Sequence, residues 1–164
     1  MENQVRLHLL EPGLKLMILV FVCCLSIGYW AGMQYLFERT SFSIQGTEES
    51  YLGNEDLEDV EVMKFRKSEA EVLTIIHTHM LSLSVIFVLT GLLIYFTELG
   101  NGWKVLLMVE PFISLIVIFG GIWFMWNGVT WIKYLMFPLG VLMHVFFVLQ
   151  IVVIVYNLYV RRIG

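Results

Sequence analysis

Four long apolar runs separated by short polar breaks dominate the chain: Leu14 to Phe37, Val72 to Thr97, Trp103 to Trp126 and Trp131 to Tyr159. Each is longer than the roughly 20 residues that a helix rising about 1.5 Å per residue needs to cross about 30 Å of hydrocarbon. The pattern predicts an all-α polytopic membrane protein, a four-helix transmembrane up-down bundle, with helices over about 14–37, 69–97, 103–126 and 131–160. Gly100-Asn101-Gly102 and Asn127-Gly128 make connections short enough for the last three spans to be successive antiparallel neighbours. Ser68, followed three residues later by Glu71, predicts a capping box opening the second span. Residues 1–164 read as a single membrane domain.

Composition agrees with that pattern. The 164 residues are 59% hydrophobic and 15% charged, too apolar for a soluble domain of this size. The lipid bilayer is the expected surrounding. The first run continues well past the roughly 7–15 residues of a cleavable signal's apolar region, so it reads as a retained helix. Cys23 and Cys24 are vicinal and at membrane depth, which does not indicate a disulfide framework. Nothing in the composition suggests a nucleic-acid partner.

Charge sets the expected orientation. Counting basic residues on the two sides gives a tie, but the Glu38–Glu71 stretch holds ten of the fourteen acidic residues. Such a segment sits poorly against an anionic cytoplasmic leaflet. The expectation is a bacterial inner membrane protein with both termini cytoplasmic and an acidic extracytoplasmic loop over 38–68. Within that loop Phe42, Ile44, Tyr51, Leu52 and Phe65 are candidates to pin it to the bundle mouth or to another protein. Tyr29, Trp30, Tyr35, Trp123, Trp126, Trp131 and Tyr134 are expected to mark the outer water boundary, with Tyr95, Trp103, Tyr156 and Tyr159 at the inner one.

Polar residues inside the spans are the candidate chemistry, because a polar group in hydrocarbon is costly unless partnered. His77 and His79 fall in the sequence EVLTIIHTHMLSLSV. Counting depth at about 1.5 Å per residue puts them near the level of Gly120, Gly121, Met33 and Met136. The spacing of Thr74, His77, Leu81, Ser84, Val88 and Gly91 predicts that this face points into the bundle, since small and hydroxyl side chains allow close helix approach. His79, about 200° around the axis from His77, is expected to face another helix, a partner or the interface. His144 lies about 10 Å deeper than His77 by the same count, where Glu110 is a plausible partner. Alternatively the third span starts late and Pro111 is a first-turn proline. Gly28 and Gly32 form a G-x-x-x-G packing motif on the first span.

A four-helix plan carrying His77, His79 and His144 resembles the four-helix b-type membrane cytochromes. The resemblance implies haem b, with His77 or His79 as an axial donor, Gly120 and Gly121 giving space for the macrocycle, and His144, Met33, Met136 or a histidine of a second copy as the opposite ligand. A non-haem metal on His77 or His79 with Glu69, Glu71 or Met80, and a proton or ion path through His77, Ser84, Glu110 and His144, are further readings. No nucleophile, base and orienting group assemble in the loop, so catalytic activity is not expected. The leading expectation is a small integral subunit of a larger membrane assembly, with other membrane protein subunits or a second copy as partners, and with or without haem.

Overall fold

The computed structural model describes residues 6–56 and 62–159. Five α-helices follow one another: α1 (Pro12–Thr40), α2 (Ile44–Leu52), α3 (Glu69–Tyr95), α4 (Asn101–Trp126) and α5 (Lys133–Tyr159). Among the described residues all regular structure is helical, and α1, α3, α4 and α5 are long and apolar enough to span a bilayer. Short 3₁₀ turns, Leu7–Leu9 and Thr130–Ile132, precede α1 and α5. The chain is an integral membrane protein built as a bundle of transmembrane helices.

The bundle is organised around α4. In its most apolar stretch 44% of residues are buried, against 11% in both α1 and α3. It packs along α3 on one side and α5 on the other, and short connections make the three antiparallel. One cluster fills the half nearer the α2 loop: Val72 and Phe87 of α3, Leu115, Phe119 and Ile122 of α4, and Met136, Met143 and Phe147 of α5. A second fills the opposite half and gathers Leu7, Ile18, Val22, Ile94, Leu107, Ile154 and Leu158. The amide of Leu7 donates to the carbonyl of Phe96, so the entry to α1 and the end of α3 lie at the same end of the bundle. By contrast α1 is peripheral. It buries a narrow stripe through Ile18, Val22 and Tyr29, and a Cβ on either Gly28 or Gly32 would meet nothing within 4 Å. Among the described residues, the G-x-x-x-G face therefore packs on no other helix.

Pro111 sits inside α4, not at its first turn, because the helix begins ten residues earlier at Asn101. A proline has no amide hydrogen, so the Leu107 carbonyl one turn back loses its helical donor. Gln150 of α5 supplies the replacement: its Nε2 donates to the Leu107 carbonyl at 2.7 Å. Its Oε1 accepts from the Thr90 hydroxyl of α3 at 2.8 Å. Gln150, Thr90 and Pro111 are all fully buried. One amide thus ties three spans together at the point where the middle helix has lost a bond.

The segment expected as a loop contains a helix. Ser41 and Phe42 take left-handed φ values of 49° and 47° and reverse the chain after α1. Ser43 then caps α2, its hydroxyl accepting from the Gly46 amide at 2.9 Å. Gly46 is required there, since a Cβ would run into the Thr40 carbonyl. Asn54 pins the return strand to the end of α2: its amide nitrogen donates to the Val62 carbonyl at 3.1 Å and its Oδ1 accepts from the Lys64 amide at 2.6 Å. Burial, with Tyr35 nearby, pushes the Tyr51 phenol up to about 12. Ion pairs join Lys133 to Glu48 and Lys64 to Glu49. The Trp126 indole donates to the Lys67 carbonyl at 2.9 Å, and the Arg66 guanidinium returns a bond to the Trp126 carbonyl at 2.8 Å. The connection is a cap fastened across one end of the bundle.

Candidate functional site

The second span opens as its capping box predicts. The Ser68 hydroxyl accepts from the Glu71 amide, while the Glu71 carboxylate accepts from the Ser68 amide at 2.8 Å and its hydroxyl at 2.7 Å. These bonds satisfy donors that a helix start otherwise leaves bare. Glu71 is thereby committed to the cap.

Below the cap, α3 turns its polar residues outward. Thr74, His77, Thr78, Leu81 and Ser82 are exposed on the side of α3 away from the core, while the exposed His79 lies at the α4-facing edge, against Phe119. This corrects the expected inward orientation of the Thr74–His77–Leu81–Ser84–Val88–Gly91 face. Thr74, His77, Leu81 and Val88 face out, Ser84 is half-buried, and Gly91 reaches the interior, beside Met108. The reason is volume. Large side chains, Val72, Ile76, Met80, Leu83 and Phe87, fill the contact with α4 and α5, and they lie on the other side of the helix.

The outward face has a regular build. Ala70, Thr74, Thr78 and Ser82 stand four residues apart, and each hydroxyl donates to the carbonyl one turn back at 2.7 Å. Those groups are spent on their own helix, leaving a smooth strip of small residues. The imidazoles differ. The His79 Nδ1 donates to the Ile75 carbonyl at 2.8 Å and the ring stacks on Phe119 at 5.2 Å, so its Nε2 is the free acceptor. No hydrogen bond joins His77 to a described residue, and its ring is exposed. A shallow crevice of about 340 Å³ runs beside Lys67, Ala70, Glu71, Thr74 and Ile75 at the top of the same strip.

The other candidates lie elsewhere. Met136 occupies the space at Gly121, where a Cβ would fall 2.6 Å from the Met136 Cγ, while Gly120 faces open surroundings. Met33 is half-buried on α1. His144 donates from Nδ1 to the Gly140 carbonyl at 2.6 Å and lies against Tyr29, ring centroids 5.5 Å apart. Tyr29 itself stacks on Phe147 at 4.1 Å with its hydroxyl buried and unpartnered, so it is a packing residue and not part of the outer aromatic belt. The expected Glu110–His144 pair is not formed. Glu110 instead accepts from Ser114 on the next turn of α4, and its second oxygen is buried without a partner. The structure therefore does not bring His77, Ser84, Glu110 and His144 into one path, nor His77 and His144 to one centre. Among the described residues no group of three or more His, Cys, Asp or Glu could hold a metal ion.

Gln150 and Thr90 escaped the sequence reading. A signal existed: Pro111 inside a span frees the Leu107 carbonyl, and Gln150 stands as far along the chain from Trp131 as Leu107 stands from Trp126. In antiparallel helices that places them at one depth.

No curated protein and no solved structure matches the chain. Residues 41–163, from the end of α1 through α5, match the Aq_1264_TM family of transmembrane helical domains, and the chain belongs to that family.

Proposed function

We propose that this protein is a non-catalytic subunit of a larger membrane assembly and that the outward strip of α3 is where a neighbouring membrane helix docks. One observation carries the reading: the His77 imidazole and a four-residue-spaced strip of small side chains face away from the core of their own chain, with the exposed His79 at the edge of that face. Small residues at that spacing let two helices approach closely. The hydroxyls, already bonded to their own backbone, cost little in lipid. His77 and the Nε2 of His79 have no such relief, and a polar group left bare in hydrocarbon is expensive. A second membrane helix offering donors or acceptors at that level supplies it. From the acidic cap, which sits poorly against an anionic cytoplasmic leaflet, we place the assembly in a bacterial inner membrane with both termini in the cytoplasm.

The test is mild-detergent extraction of the native assembly, carrying either the natural chain or a His77→Leu/Thr78→Leu chain. The doubly substituted protein should keep its helical content and melting behaviour yet leave the membrane without its partner. Retention of the full assembly by that chain would overturn the reading.

A second reading rests on the His79 anchor. An Nδ1–H held by a backbone carbonyl leaves Nε2 directed as a ligand, the arrangement expected of metal-bound histidine. Haem b at the subunit boundary would take His79 on one side and a donor of the neighbouring subunit on the other. Visible spectra of the gently purified assembly check this. A Soret band lost in His79→Ala and kept in His144→Ala supports haem at that boundary, whereas colourless, iron-free protein leaves docking alone.

A further inference from the structure

The return strand of the cap, Val62 to Lys67, is built inside out relative to a loop bathed in water. Its basic side chains are drawn onto the protein. The Lys64 ammonium donates to the Arg39 carbonyl at 3.1 Å and stands 3.6 Å from Glu49. Arg66 bonds the Trp126 carbonyl and lies over the Trp126 ring at 5.1 Å. The apolar residues beside them turn outward, with Val62 65%, Met63 55% and Phe65 71% exposed. Tyr51, on the neighbouring α2, packs against the core instead.

Level decides what those side chains meet. Trp126 is the last residue of α4, an apolar span, and its indole donates to the Lys67 carbonyl. Lys67 is directly followed by Ser68, the cap of the next span. The segment is thus tied at its Lys67 end to two positions where spans leave the hydrocarbon. Tryptophan at such positions belongs in the headgroup zone. The same end of the bundle presents exposed Tyr35, Trp131 and Tyr134, aromatic residues of the type that mark the headgroup zone.

We propose that Val62–Lys67 is an interfacial anchor: Val62, Met63 and Phe65 insert at the headgroup–acyl boundary of the bilayer that the helices span. The strand is held rigid by Asn54, Lys64, Arg66 and Lys67, so the apolar side chains enter lipid without ordering a free loop, which lowers the entropic cost of insertion. Its partner is the phospholipid surface itself. This anchor is independent of any helix docked on α3, because it uses neither the same residues nor the same element.

Spin labels on full-length protein in phosphatidylcholine/phosphatidylglycerol vesicles test the anchor. Single cysteines replace Met63, Phe65 or Asp56, with Cys23 and Cys24 changed to serine. Collision with oxygen, which concentrates in lipid, is compared with collision with a water-soluble nickel chelate. The oxygen-to-nickel ratio at 63 and 65 should be several times that at 56, an exposed cap position. Equal ratios at all three sites, with thermal unfolding unchanged from the parent protein, would overturn the anchor and assign the patch to a protein partner absent from the vesicles. A Phe65→Asp chain gives a second reading: with a folded bundle, it should pull the label at 63 toward water, and an unmoved label contradicts insertion.

Discussion

Two stations in this bundle face the same difficulty, polar side chains within apolar spans, and they resolve it in opposite directions. At the inner station, Gln150 is fully buried and both ends of its amide are used, one on the Leu107 carbonyl and one on the Thr90 hydroxyl. At the outer station, His77, Thr74, Thr78 and Ser82 lie on the far side of α3, with His79 at its α4-facing edge, and every hydrogen bond they make runs to α3 itself. The inner station holds three helices of one chain together. Apart from the His79 ring stacked on Phe119, the outer one joins α3 to no other helix, yet it carries imidazoles that lipid cannot satisfy. Polarity used internally is a fold determinant, and polarity turned outward is what the docking proposal rests on.

Substitutions at the inner station should have the largest effect on stability. Gln150→Leu leaves the Leu107 carbonyl buried with no donor from either helix, and should cost about 1–2 kcal/mol in detergent unfolding. Adding Pro111→Ala returns an amide hydrogen to that carbonyl, so the double variant should recover part of the loss. Thr90→Val should cost less than Gln150→Leu, because the Thr90 hydroxyl also reaches the Ile86 carbonyl at 3.0 Å. If Gln150→Leu melts with the parent protein, the interior amide is not what joins the spans.

A smaller difference is expected between neighbouring glycines. Gly121→Ala drives a Cβ into Met136 and should cost about 1 kcal/mol or more by overpacking, while Gly120→Ala meets nothing and should be neutral or slightly stabilising. Unfolding curves of the two variants, run side by side, check this directly. Equal losses would mean that the α4–α5 contact at this level is looser than the geometry requires.

At the outer station, His77→Leu should leave the isolated chain as stable as before, within about 0.5 kcal/mol, because no internal contact is removed. Its effect should appear in association instead, read as the loss of co-purifying subunits. The smallest change belongs to the cap's ion pairs. Glu48→Ala removes the partner of Lys133 at a partly exposed site, and should cost at most about 1 kcal/mol, declining with salt.

The spans, their order and the Ser68–Glu71 cap were legible because length, turn residues and capping chemistry are local properties. The inward face of α3 was not. In a soluble helix the apolar side marks the interior, but α3 is apolar nearly all round and lipid competes with the core for the same side chains. Small and hydroxyl residues signal close helix approach without saying whose helix approaches. The 3–4 spacing of Thr74 and His77 therefore points to the bundle in sequence, whereas Val72, Ile76 and Phe87 form the face that packs there. The cap helix α2 escaped notice because IQGTEESYL is short and polar, and it is held by Ser43, Gly46 and Asn54, whose roles depend on contacts distant in sequence. Gly28 and Gly32 repeat the lesson on α1: the motif is legible, and the chain itself does not use it. The family match begins at residue 41, so α1 is also the span that lies outside the shared transmembrane domain.

The most direct test of the outward station is photocrosslinking in native membranes, with a benzophenone amino acid at Thr78 on the α3 strip or at Ile116, an exposed position on α4. A docked helix predicts a discrete protein adduct from position 78 and only lipid adducts from position 116. Lipid adducts alone from both positions would contradict the account.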